Sequence, residues 1–225
     1  MALQHSPSIV TSGLALCLDA GNPRSYAGSG TTWRDLSNSG FNGSILNGPS
    51  YVSGINGYFN LDGIDDYISC GNVLASLTNM TLECWVKFNT QVSNFNGIIS
   101  KTLSNADGYE IRTTGYTSTT TNFQFRYKGD TAVTGEFTAT NGLWYNIVAT
   151  GQSGSQRLIV NNVLQASNTA VTTPTANSNN LEIGKLSYAG LYLKGFMAVA
   201  KIYDRVLSDS EISQNFNALR GRYGV

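Results

Sequence analysis

Short apolar or alternating segments separated by turn residues dominate the chain. Apolar positions recur at every second residue in Leu14–Leu18, Tyr58–Leu61, Tyr67–Cys70, Met80–Phe88, Gly97–Lys101 and Tyr109–Thr113. The same pattern returns in Asn122–Lys128, Trp144–Thr150, Arg157–Val160, Leu181–Lys185 and Gly195–Tyr203. A period of two predicts strands. Between them fall Asn-Gly steps at Asn42, Asn47, Asn56, Asn96 and Asn141, Asp-Gly at Asp62 and Asp107, and the pair Asn161-Asn162. These residues tolerate the positive φ of tight hairpin turns. Many short strands at this spacing predict a two-sheet sandwich or jelly roll.

One helix interrupts the pattern. Ser208 and Glu211 have the spacing of a capping box, and Leu207 with Ile212 that of a hydrophobic staple. Ile212, Phe216 and Leu219 then form an apolar stripe, and Gly221 is the expected stop. With no break in composition, residues 13–225 read as a single domain preceded by an N-terminal arm, residues 1–12.

Alternation also predicts strand faces. Leu82, Cys84, Val86 and Phe88 share one face of their strand, and Glu83, Trp85 and Lys87 the other. Tyr109 and Ile111 oppose Glu110 and Arg112; Phe123, Phe125 and Tyr127 oppose Gln124, Arg126 and Lys128. If these strands share a sheet, Trp85 stands among Glu83, Lys87, Glu110, Arg112, Gln124 and Arg126. An aromatic ring bordered by planar hydrogen-bonding groups suits a sugar; the alternative is an ordinary solvated face.

Two polar loops add candidate ligand oxygens. Asp62, Asp65 and Asp66 lie within five residues, in a turn that could hold Ca²⁺ or simply cap its own N–H groups. The Trp33–Gly43 loop, rich in Asp, Ser, Asn and Gly, is either structural or a source of further oxygens.

Composition narrows the function. Only 12% of residues are charged, and 14 basic residues balance 14 acidic ones. Nucleic acid and anionic membranes select basic patches, so neither is an expected partner. Asn, Ser, Thr and Gly make up about two-fifths of the chain. Cys17, Cys70 and Cys84 lie in apolar stretches and read as small buried hydrophobes, with a Cys70–Cys84 bridge as the alternative. Residues 1–12 lack a basic start followed by an apolar run, so no secretory signal is expected. A reducing cytoplasm is the expected place of synthesis.

The order of several motifs resembles the concanavalin A-like, laminin-G-type jelly-roll domains. The motifs are Gly13-Leu-Ala-Leu-Cys-Leu-Asp-Ala-Gly-Asn-Pro23, Trp33-Arg-Asp-Leu-Ser-Asn-Ser-Gly-Phe-Asn-Gly43 and Leu61-Asp-Gly-Ile-Asp-Asp-Tyr67. Met80-Thr-Leu-Glu-Cys-Trp-Val-Lys87 and Tyr203-Asp-Arg-Val-Leu-Ser-Asp-Ser-Glu-Ile212 follow. The resemblance implies an all-β, two-sheet antiparallel sandwich with one short C-terminal helix. It also implies glycan or protein binding, often with Ca²⁺ at the rim.

The opening Leu-Asp-Ala-Gly-Asn-Pro and the closing Asn-Ala-Leu-Arg-Gly-Arg-Tyr-Gly are most similar to versions in tailed-phage structural proteins. A virion protein is therefore expected, as capsid decoration or tail-associated module, made in the bacterial host cytoplasm. It would contact itself as a homo-oligomer, other virion proteins, and host-surface glycans. The competing expectation is a free, calcium-assisted lectin.

Catalysis is not expected. The five glutamates, Glu83, Glu110, Glu136, Glu182 and Glu211, lack the alternating acidic strand of laminarinase-like relatives. His5 is the single histidine, and no nucleophile elbow or metalloprotease motif is present.

Overall fold

The computed structural model describes residues 8–73, 78–104, 107–127, 134–169 and 172–225. In chain order the first strands are β1 (Leu14–Asp19), β2 (Thr32–Trp33), β3 (Gly43–Leu46), β4 (Ser50–Val52), β5 (Tyr58–Asp62) and β6 (Tyr67–Ser69). Next come β7 (Met80–Phe88), β8 (Gly97–Ser104), β9 (Asp107–Tyr116), β10 (Thr120–Tyr127) and β11 (Phe137–Thr140). The last are β12 (Trp144–Gln152), β13 (Ser155–Val160), β14 (Val163–Asn168), β15 (Glu182–Ile183) and β16 (Lys194–Tyr203), followed by α1 (Asp209–Tyr223).

Two antiparallel sheets result. The first runs β14-β13-β12-β7-β16-β5-β4, with β1 sharing the free edge of β16 beyond β5. The second runs β11-β10-β9-β8-β15-β6-β3-β2. The inward residues read from alternation meet between them: Leu82, Cys84, Val86 and Phe88 from β7 face Ile111, Phe123, Phe125 and Tyr127. All three cysteines are buried free thiols in this sandwich, with no Cys70–Cys84 bridge.

The expected strands are present, and β2, β3, β4, β11 and β14 are additional. The Asn161-Asn162 pair turns as expected: both residues have positive φ, 49° and 65°, and join β13 to β14. The Asn96-Gly97 step does not turn. It opens β8, and a Cβ on Gly97 would lie 2.3 Å from the Lys185 carbonyl oxygen. The missing side chain lets the segment between β15 and β16 lie against the sheet.

The helix carries its expected cap: Ser208 accepts from the Glu211 N–H while Glu211 accepts from the Ser208 N–H. It continues through Gly221 and ends at Gly224, which has φ 70° and donates its N–H to the Arg220 carbonyl. Gly221 is thus interior to the helix: a glycine stops a helix where it takes the left-handed conformation, and Gly224 does so.

Of the N-terminal arm, residues 1–7 lie outside the described residues, as does Lys128. Ser8–Ser12 runs along α1. The Val10 N–H donates to Asn215 Oδ1 at 2.8 Å, and the Tyr203 hydroxyl donates to the Val10 carbonyl at 3.0 Å.

Candidate carbohydrate-binding surface

The outer face of the first sheet is divided in two by α1. Under the helix, Trp85 is fully buried, stacked on Phe216 and Tyr223 with ring centroids 5.9 and 4.6 Å away. This corrects the expectation of Trp85 as an open platform: the stripe Phe216–Leu219–Tyr223 covers it. Glu83, also fully buried, pairs with Lys201 Nζ at 2.7 Å and accepts from Asn215 Nδ2 at 2.7 Å and Asn146 Nδ2 at 3.2 Å. A buried carboxylate needs this much compensation, and its partners leave nothing to offer a ligand.

Lys87 lies outside the shelter of the helix. Trp144, Lys87 and Phe196 occupy one cross-strand row of β12, β7 and β16. Tyr58 on β5 closes the group. The Lys87 ammonium sits 5.4, 5.2 and 4.4 Å from the ring centroids of Tyr58, Trp144 and Phe196. All four side chains are half-buried. No carboxylate pairs with Lys87 among the described residues. Next to Trp144 opens a pocket of about 470 Å³ lined by Leu143, Trp144, Tyr145, Asn161, Tyr223 and Val225. Tyr58, Trp144 and Phe196 were not among the expected site residues. Each stands at or near a strand end, and only the pairing order brings them together.

Glu110, Arg112, Gln124 and Arg126 belong to the other sheet, on β9 and β10. The expected common face with Trp85 does not form, because the sandwich separates them. They are 8% exposed or less. Arg126 Nη1 lies 2.6 Å and Arg112 Nη1 3.4 Å from Glu110 Oε1, and Ser100 Oγ donates to Oε2 at 3.3 Å. Burial holds the Glu110 carboxyl above its usual range, against the opposing pull of Arg126 and Arg112. A roof completes the enclosure. Ser187 bonds to Ser100 and Thr102, Tyr188 to Arg126, and the Phe95 ring stacks 4.7 Å from the Arg112 guanidinium.

The acidic turn sits at the end of β5. Ligand oxygens of Asp62, Asp65 and Asp66 lie within 4.8 Å of one another. Asp62 Oδ1 accepts from the Ile64 and Asp65 N–H groups, and Asp66 Oδ2 from the Asp62 N–H. The turn-capping reading therefore holds. Calcium also fits: three hard oxygen donors converge, and Asp66, only 5% exposed, has its carboxyl pushed up to about 6 by burial and by Asp62 and Asp65. The Trp33–Gly43 loop is self-sufficient. Both Asp35 oxygens accept from within the fold, from the Cys17, Ser37 and Phe41 N–H groups and the Ser37 hydroxyl.

Two packed antiparallel sheets with a single covering helix define a lectin-type jelly-roll sandwich. The chain belongs to the concanavalin A-like lectin/glucanase superfamily, whose Laminin_G_3 family model matches residues 62–213. Among solved structures it is similar to Trypanosoma rangeli sialidase in complex with the inhibitor DANA. There the TM-score is 0.68 and identity 16%, over 95% of this chain and 35% of that one. Domain 4 of an extracellular GH43 arabinanase from Geobacillus stearothermophilus, in complex with arabinotriose, gives a TM-score of 0.67 and 16% identity. It covers 93% of this chain and 100% of that one. The binding domain of botulinum neurotoxin DC, in complex with SialylT, gives 0.63 and 16%, over 93% and 52%. The chain thus spans about a third of the sialidase and half of the neurotoxin domain. No curated protein sequence matches it.

Proposed function

We propose that this chain is a carbohydrate-binding module and that the Trp144–Lys87–Phe196 row is its saccharide platform. The observation that carries the reading is the position of Lys87 between three half-buried rings, beside an open pocket, at the C-terminal end of α1, where Tyr223 packs 4.9 Å from the Trp144 ring. A sugar's C–H face stacks on Trp144 while the Lys87 ammonium donates to its ring or hydroxyl oxygens. Arabinotriose and SialylT in complex with two structural neighbours support a saccharide as the ligand class. The reading includes a calcium ion at Asp62, Asp65 and Asp66 that rigidifies the rim. It includes no hydrolysis, since Glu83 and Glu110 are enclosed in ion pairs.

The test is a glycan array with the purified chain and Trp144→Ala, in calcium and in EDTA. Binding by the chain that Trp144→Ala loses at unchanged fold supports the platform. Equal binding by both moves the site elsewhere.

The setting we propose for this module is the virion of a tailed phage, as a decoration or tail-associated subunit that contacts itself and other virion proteins. The reading rests on the resemblance read in the segments Leu18–Pro23 and Asn217–Gly224 of the sequence. The edge strand β14 supports it: there Val163 and Leu164 are 58% and 51% exposed and offer an apolar edge to a second subunit. Co-sedimentation with purified particles supports the setting. A chain that stays monomeric and free of particles removes it.

A further inference from the structure

The connection between β1 and β2 folds around a small open cavity, and Ser25 sets its frame. The Asp19 N–H donates to Ser25 Oγ at 3.1 Å, and the Ser25 hydroxyl donates to the Arg34 carbonyl at 2.6 Å. The Arg34 N–H returns a bond to the Ser25 carbonyl at 2.7 Å, so the backbone of Arg34 is held beside Ser25 and its neighbour Arg24. The Tyr26 hydroxyl closes the loop on the Gly30 carbonyl at 2.9 Å, and the Ile45 N–H ties the Thr31 carbonyl to β3 at 2.8 Å. Arg24, Arg34, Ser29, Thr31 and Thr32 line the resulting space of about 340 Å³. All five are exposed, and a Cβ on Gly30 in the same wall would meet no atom within 4 Å, so that side is open.

The cavity carries two uncompensated charges. Neither the Arg24 nor the Arg34 guanidinium pairs with a carboxylate or stacks on a ring among the described residues. The acidic residues that flank the loop in sequence are committed elsewhere. Asp19 accepts from Arg222 at 2.8 and 2.7 Å, and Asp35 from the Cys17, Ser37 and Phe41 N–H groups. In a chain with only 12% charged residues, two arginines without counter-ions in one cavity make a local positive field. The planar fork of an arginine matches a carboxylate, and its weak hydration favours such pairing. The hydroxyls of Ser29, Thr31 and Thr32 have no protein partner among the described residues. Across a shared wall of Pro23 and Ala27 lies a second cavity of about 560 Å³, lined by Tyr26, Tyr51 and Ile55. The Tyr26 and Tyr51 hydroxyls bond within the protein, to the Gly30 and Ala20 carbonyls, and Ile55 is 74% exposed. This side therefore offers mainly apolar surface.

We propose that the Arg24–Arg34 cavity binds the carboxylate of an acidic sugar, with the next sugar unit lying over Pro23 and Ala27 against Tyr51 and Ile55. The proposal rests on the reading of the chain as a carbohydrate-binding module and not on the Lys87 platform, with which the two cavities share no residue. The guanidinium groups donate to the carboxylate oxygens while Ser29, Thr31 and Thr32 serve the ring hydroxyls. The hydrogen-bonded backbone frame stands before the sugar arrives, so ordering on binding is confined to the lining side chains. A sialyl sugar and a uronate present the same carboxylate, and the choice between them is read by titration.

The experiment titrates the full chain calorimetrically with sialyllactose against lactose, and with trigalacturonate against its neutral methyl ester. It uses the wild type, the double variant Arg24→Gln/Arg34→Gln, and Trp144→Ala. Either acidic sugar binding about ten-fold or more tighter than its neutral match, with that preference lost in the double arginine variant, supports the cavity; the sugar that binds names the source. An acidic preference that the double variant keeps overturns the proposal, and its loss in Trp144→Ala would then assign the acid to the Lys87 platform. Equal affinity for acidic and neutral sugars also overturns it and leaves the carbohydrate-binding reading in place. So does silence toward all four sugars, after which the glycan array with Trp144→Ala decides that reading by itself. Both arginine side chains are exposed and unpaired, so the double variant is expected to keep the wild-type Tm, which a thermal melt checks.

Discussion

Glu83 and Lys201 stand directly opposite each other on β7 and β16, with Oε1 and Nζ 2.7 Å apart and both side chains sealed under α1. The pair, with Asn146 and Asn215, is the polar centre of an otherwise apolar contact between helix and sheet. Removing one partner leaves a buried charge. Lys201→Met should cost about 3–5 kcal/mol in denaturant unfolding. Adding Glu83→Gln should recover part of that loss. A single variant within 1 kcal/mol of wild type, on the order expected for surface pairs, would show the pair to be solvated.

The two tryptophans on the outer face of the first sheet should part company. Trp85→Ala opens a cavity under Phe216 and Tyr223 and should destabilise by about 3–5 kcal/mol. Trp144 is half-buried, so Trp144→Ala should shift Tm less while removing saccharide binding at the Lys87 platform. Thermal melts paired with binding curves decide this; equal Tm losses would contradict the difference in burial.

Calcium and pH should act on one turn in opposite senses. The folded Asp66 carboxyl titrates near 6, above an unfolded aspartate, so the metal-free fold binds a proton more tightly than the unfolded chain. Its stability contribution is present at low pH and lost as pH rises through about 6. Added Ca²⁺ should raise Tm most at pH 8, and Asp66→Asn should remove that response while raising the metal-free Tm. Melts in calcium and EDTA at pH 5 and 8 measure it, and a flat calcium response would exclude the ion.

Gly97 holds the roof over Glu110. A Cβ there meets the Lys185 carbonyl carbon and oxygen, both at 2.3 Å, which no rotamer relieves. Gly97→Ala should cost about 1–3 kcal/mol, the range for forced overpacking. It should also raise amide exchange across residues 185–192. Protection equal to wild type would mean that the segment is not held by this approach.

The sequence carried what depends on neighbours in the chain. Alternation assigned Leu82 through Phe88 of β7 to their correct faces, and Ser208 with Glu211 located the start of α1. Pairing order is a property of distant segments, and it escaped. Alternation showed that Trp85 and Arg126 point outward, but not that they point outward from different sheets. Nor could it show that a helix over 120 residues downstream covers one of them. Trp144, Lys87 and Phe196 became a row only through the register of three strands. Gly97 reads like any Asn-Gly turn until the segment lying on it is known.

The pairing of β1 with β16 sets the timing of assembly during synthesis. Leu16 takes its place opposite Ile202, and Val10 is held by Asn215, so the first strand made must wait for the last. At ordinary translation rates of about 5–20 residues per second, roughly 10–40 s separate the two. Throughout that interval the edge of β1 that β16 completes has no backbone partner. A ribosome-bound chaperone, or a low density of ribosomes per message, would protect this chain more than one built from local hairpins.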